Sequence, residues 1–132
     1  MAKKGWGWVF VEPKPKSIGE FQKIVLEKSF QVIIEDFKER FIQEPNPDFG
    51  YTTDIYGKWY RHYFYFCQKM QYDHPDFRVR EAEHKIARIE CFANNTFNLS
   101  YFRHTGQWFE IAHALTLEAC LEEIKTNPLF YP

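Results

Sequence analysis

The sequence predicts an α+β fold: a long N-terminal helix packed on an antiparallel sheet of about five strands, followed by a short C-terminal helix. Three observations lead there. Residues 86–111 alternate apolar and polar side chains with a period of two, the pattern of half-buried strands in a β-meander. Residues 18–43 repeat apolar side chains at helical spacing, with charge gathered on the far side. Thr116, then Leu117, Cys120, Leu121 and Ile124, marks a second helix with a capped start.

The elements follow in chain order. Residues 1–16 read as an aromatic and basic arm, with Trp6, Trp8 and four lysines. Within it, residues 6–12 are an edge strand or an extended segment laid over the core, ended by Pro13 and Pro15. Ser17-Ile18-Gly19-Glu20 has the form of a capping box and opens the long helix. Its buried stripe is Ile18, Phe21, Val25, Leu26, Phe30, Ile33, Phe37 and Phe41, and at 1.5 Å per residue it spans roughly 39 Å. Pro45 and Pro47 end it. Residues 51–56 form a short strand, turned by Gly57-Lys58 into a long one at 59–72. Both faces of that long strand are aromatic, so it is either covered on both sides or binds something. Residues 73–85 read as a charged loop around Pro75.

Register in the meander is set by burial. Pairing Ala93 with Phe97, Cys91 with Leu99 and Ile89 with Tyr101 makes one face apolar throughout, whereas a one-residue slip mixes both faces. That pairing leaves a three-residue loop in which an Asn takes the left-handed conformation or a bulge absorbs the strain. The next turn, His104-Thr105-Gly106, has Gly at the left-handed position and pairs Arg103 with Gln107, Tyr101 with Phe109 and Leu99 with Ile111. The expected buried face is Ala87, Ile89, Cys91, Leu99, Tyr101, Phe109 and Ile111, set against Phe30, Ile33 and Phe37.

Length and composition narrow the class. The 132 residues suit a single domain, 1–132, able to bury a core without metal or disulfide staples. Hydrophobic content of 45% excludes a disordered chain, and aromatic content of 20% means that aromatics dominate core and surface alike. Seventeen basic and eighteen acidic residues nearly cancel, so no global field recruits nucleic acid or membrane. Cys67, Cys91 and Cys120 are widely spaced on apolar faces and read as reduced, buried thiols of a cytoplasmic protein. No apolar segment follows Lys3 and Lys4, so no secretory leader is expected, and no uncharged run is long enough to span a bilayer.

Ala87-Arg88-Ile89, the alternation Phe97, Leu99, Tyr101, Arg103, then Gly106 and Trp108, and a Leu/Glu helix near an aromatic C-terminus carry a resemblance. Over mainly the C-terminal third, the chain resembles an uncharacterised family of small bacterial domains of unknown function. The resemblance implies a bacterial, cytosolic protein and brings no catalytic residue with it.

The chemistry-bearing residues point to binding. None of the five histidines has metal-ligand spacing, and no metal or cofactor is expected. Asp76 with Glu83-His84-Lys85 echoes a nuclease pattern in which two acids hold Mg²⁺, but the expectation is a charged loop that matches it by chance, with the two acids apart. The second sheet face stands out. Trp59, Tyr63, Tyr65, Phe92, Phe102 and Trp108 share it with Arg61, Lys69, Arg88, Asn98 and Glu110, unless the arm and the terminal helix cover it. The expected binding residues are Trp59, Arg61, Tyr63, Tyr65, Arg88, Phe102 and Trp108. The expected function is a non-enzymatic binding module for a protein partner or a second copy. Single-stranded nucleic acid on the same face is the alternative, and a nuclease-like or other small enzyme comes third. A membrane is not an expected partner.

Overall fold

The computed structural model describes residues 2–4, 7–9 and 15–132, with side chains from residue 15 onward. The chain runs β1 (Ala2–Lys4), β2 (Gly7–Val9), α1 (Glu20–Phe41), β3 (Tyr51–Tyr60), β4 (Tyr63–Gln71), β5 (Glu81–Cys91), β6 (Phe97–Phe102), β7 (Trp108–Leu115) and α2 (Leu117–Thr126). Strands β3 to β7 form one antiparallel sheet in sequence order, and β1 pairs with β2 in a separate hairpin. The α+β class and the meander are as the sequence predicts. The remainder of the expected arm, Trp6 and residues 10–14 included, lies outside the described residues, and so does any cover it gives the sheet.

Both helices lie on one face of the sheet. Helix α1 buries Leu26, Phe30, Ile33, Ile34 and Phe37. Phe30 meets Phe64 at 4.5 Å and Phe66 at 5.9 Å between ring centroids. Thr116 caps α2 by accepting from the Ala119 N–H, and Cys120 and Ile124 are its buried residues. The tail packs back: Phe130 is fully buried and Tyr131 lies 5.2 Å from Phe41. Arg40 stacks 4.7 Å from the Tyr131 ring and donates to the Lys125 carbonyl at 3.3 Å, tying the C-terminus to α1. No helix among the described residues is long and apolar enough to cross a membrane.

Helix α1 begins two residues later than the capping box implies. Ser17 is drawn into a bridge with Phe92, and the Ile18 N–H donates to the Cys91 carbonyl at 3.2 Å, so this backbone is extended and Gly19 becomes the cap. Phe21 and Val25, expected in the buried stripe, face solvent at 79% and 54% exposure. Phe21 lies about 140° around the helix from Leu26, so both cannot face the sheet.

The first hairpin turns at Arg61-His62 rather than Gly57-Lys58, and one long strand becomes two of similar length. Burial decides this. With the turn at 61–62, Gly57 pairs with Phe66 and Trp59 with Phe64, so Ile55, Trp59, Phe64 and Phe66 all face α1. The local cost is a left-handed Arg61 at φ 55°, about 1–2 kcal/mol.

Register in the meander is shifted by two residues from the expected one. Cys91 pairs with Phe97, Ile89 with Leu99 and Ala87 with Tyr101, an even shift that keeps every side chain on its predicted face. The longer loop puts Asn95 in the left-handed conformation at φ 61°, while Asn94 Oδ1 accepts from the Thr96 N–H. Asn thus replaces Thr where the strain falls. The second turn is as predicted, with Gly106 at φ 84° and Tyr101 opposite Phe109. Leu99, however, pairs with Ala112, because register shifts on both sides of it displace Ile111. Phe109, expected to be buried, is 46% exposed, since it sits on the edge strand β7. Residues 81–85, expected in a loop, begin β5 instead.

A cation and aromatic face on the side of the sheet opposite the helices

The face opposite the helices is built from alternate residues of four neighbouring strands. On β4 these are Tyr63 and Tyr65, which lie opposite Glu90 and Arg88 of β5. Arg88 in turn faces Ser100 of β6, and Phe102 faces Trp108 of β7. Ser100 is small, so the Trp108 indole reaches across β6, meeting Tyr65 at 5.6 Å and Phe102 at 5.1 Å. Between the aromatics lies Arg88, its guanidinium carbon 4.9 Å from the Tyr63 ring and 4.9 Å from the Trp108 ring. Lys85 Nζ lies 5.2 Å over Phe102. Tyr63, Tyr65, Arg88, Phe102 and Trp108 are all half-buried.

Two acids of this face are occupied by neighbours, whereas Glu110, opposite Ser100 on β7, is exposed and lies 3.7 Å from His113 Nδ1. Glu90 is buried; His62 Nε2 lies at 2.8 Å, the Tyr63 hydroxyl donates at 3.1 Å and Asn98 Nδ2 at 3.3 Å. Glu83 takes the Lys58 ammonium at 2.8 Å and the Tyr56 hydroxyl. Those bonds hold its carboxyl below the usual range, and burial, with the hydrogen bond to Glu83, pushes the Tyr56 phenol up. Arg88 and Lys85, by contrast, have no hydrogen bond or ion pair to any carboxylate among the described residues. A guanidinium held beside two rings with no carboxylate partner among the described residues is ready for an anion.

A family model described as a domain of unknown function, DUF3024, matches residues 20–132. The chain belongs to this DUF3024 family. The match takes in α1 and the whole sheet, well beyond the C-terminal third, and starts after the arm. No curated protein and no solved structure matches.

Of the seven binding residues expected from sequence, the DUF3024 fold brings five together: Tyr63, Tyr65, Arg88, Phe102 and Trp108. Trp59 and Arg61 are not among them. Trp59 packs under α1, donating from Nε1 to Glu27 at 3.0 Å, with Lys23 Nζ 5.2 Å over its ring. Arg61 sits in the hairpin turn with its guanidinium over Tyr60. Both corrections follow from the displaced turn, which reverses the faces of residues 57–60. Lys85 was missed because Ile86 is an extra residue in β5, so that Lys85 and Arg88 share a face although three apart. The visible signal is Ile86-Ala87, two consecutive buried apolar residues inside an alternating run.

The nuclease-like residues are spread over different surroundings. Asp76 lies in the β4–β5 loop beside His74 at 3.6 Å, whereas Glu83 is held in β5 by Lys58. Among the described residues no three His, Cys, Asp or Glu side chains group as a metal site. All three cysteines are buried. Burial pushes Cys67 up to about 11 and Cys120 up to about 12, and raises Cys91 as well.

Proposed function

We propose that this DUF3024 chain is a non-enzymatic binding module of a bacterial cytoplasm, and that its open sheet face takes single-stranded nucleic acid. The Arg88 clamp carries the reading: a cation without an acid partner among the described residues, held between Tyr63 and Trp108 with Tyr65 and Phe102 alongside. Aromatic planes stack bases regardless of sequence, and interleaved cations hold the backbone. With Glu83 and Glu90 engaged and Glu110 set apart on the edge strand, Lys85 and Arg88 offer unspent positive charge at the centre of the face, which suits an anionic ligand. The sequence favours a protein partner gripped by Trp59, Tyr63 and Trp108. That reading weakens once Trp59 lies on the helix side and Arg88 separates the other two rings.

A protein partner or second copy stands as the second reading, supported by a different surface. Phe21, Ile24, Val25 and Val32 are exposed on the outer side of α1.

Salt separates the two. If Lys85 and Arg88 each neutralise one phosphate, the affinity slope against salt is about −1.4, and raising salt fourfold weakens binding about 7-fold. Sedimentation or fluorescence titration with an oligothymidylate at 50 and 200 mM salt measures this. Arg88→Ala with Trp108→Ala should abolish the complex. Salt-independent self-association with no oligonucleotide bound would overturn the proposal and promote the second reading.

A further inference from the structure

The row of rings and cations ends in a cleft. Beyond Phe102 and Lys85, where β5 begins and the β6–β7 turn closes, the surface opens into a space of about 600 Å³. Its walls carry Lys85, Arg103, His84 and His104, with Phe102 on one side and Glu83 as the only acid among the lining residues. That acid is already bound by Lys58 and Tyr56. Lys85 Nζ lies 5.2 Å from the Phe102 ring and the Arg103 guanidinium 4.8 Å from the Phe109 ring; neither forms an ion pair among the described residues, although the Lys85 charge also acts on Glu83. His84 meets the Tyr72 hydroxyl at 3.3 Å.

The ring contacts run from Tyr63 through Arg88 and Trp108 to Phe102 and Lys85. Phe102 is shared by the platform and the cleft, so a strand stacked along the face delivers its end between Lys85 and Arg103. A terminal phosphate monoester carries close to two negative charges and has three terminal acceptor oxygens, where an internal phosphodiester has one charge. Two cations and two imidazoles around a pocket with no uncommitted acid suit that group better than a passing backbone phosphate.

We infer that this cleft receives the terminal phosphate of the bound strand, so that the protein recognises one phosphorylated end. The inference rests on the nucleic-acid reading of the sheet face. Because the face is asymmetric, only one of the two ends of a stacked strand reaches the cleft.

The experiment compares three eight-residue oligothymidylates by calorimetry: one with hydroxyls at both ends, one with a 5′-phosphate and one with a 3′-phosphate. One phosphorylated form should bind about tenfold more tightly than the other two, the gain expected from charge-assisted hydrogen bonds. In Lys85→Ala/Arg103→Ala, both exposed positions, the preference should vanish: all three strands should bind equally, each more weakly than to the wild type, through Arg88 and the rings. Lys85→Glu should turn the preference into discrimination against that end, whether or not the double variant is well behaved. Equal affinity for all three strands would overturn the cleft while leaving the sheet-face reading intact. Equal gains from both phosphorylated ends would mean unspecific charge and would overturn it too. Failure of all three to bind would sink both readings together.

Discussion

Alanine at position 57 is the most direct test of how this fold is put together. If Gly57 formed a turn, as its sequence neighbourhood suggests, a Cβ would meet solvent. In the structure, a Cβ built there lies 2.1 Å from Phe64 Cζ, 2.7 Å from Cε2 and 3.0 Å from Ile34 Cδ1. Phe64 has nowhere to go: it is 3% exposed and hemmed in by Phe30 at 4.5 Å, Trp59 at 5.1 Å and Phe66 at 5.1 Å. Gly57 does not have a positive φ, so its backbone conformation admits alanine and the penalty is steric. Overpacking of a filled core costs about 1–3 kcal/mol, and so severe an overlap sits at the upper end. Reduced freedom of the unfolded chain returns about 0.4–1 kcal/mol. Gly57→Ala should therefore lose about 2 kcal/mol net, taking the overlap near 3 and the return near 1. With an unfolding entropy near 2.1 cal/mol/K per residue, a 132-residue chain drops in Tm by about 7 °C for that loss. Thermal and urea unfolding by circular dichroism would measure it, with the urea slope unchanged. An unaltered or raised Tm would refute the placement of Gly57 beneath α1 and return the turn to residues 57–58.

Two further outcomes follow from the buried and paired groups. Glu83 has a folded pKa below its ordinary value, so its bonds to Lys58 and Tyr56 contribute stability above about pH 4.5 that is lost as pH falls through the folded value. A Tm series from pH 6 to 3 should show wild type and Glu83→Gln converging at the acid end, and a constant gap would count against the pairing. Cys67, Cys91 and Cys120 should resist a disulfide reagent at pH 8 in the native protein and yield three equivalents on unfolding. One fast native equivalent would show that a thiol is accessible.

Periodicity and the Thr116 cap were legible in the sequence because they are local, whereas the Ser17 box lost its residue to a bridge with distant Phe92. The alternation of Ile89, Cys91, Leu99 and Tyr101 reported the buried face correctly even where register was off by two, since an even shift leaves faces unchanged. Thr116 announced α2, and Gly106 its turn, from chemistry confined to a few residues. Tertiary packing decided what depends on contacts between distant segments. The demand that Trp59 and Phe64 both meet Phe30 placed a turn at Arg61-His62 against local propensity. It thereby moved Trp59 and Arg61 off the open face. The extra residue at Ile86 brought Lys85 into line with Arg88, and the small Ser100 let Trp108 reach across β6 to close the clamp. Spacing along one strand does not reveal such contacts, because each needs side chains from three or four strands to share one face.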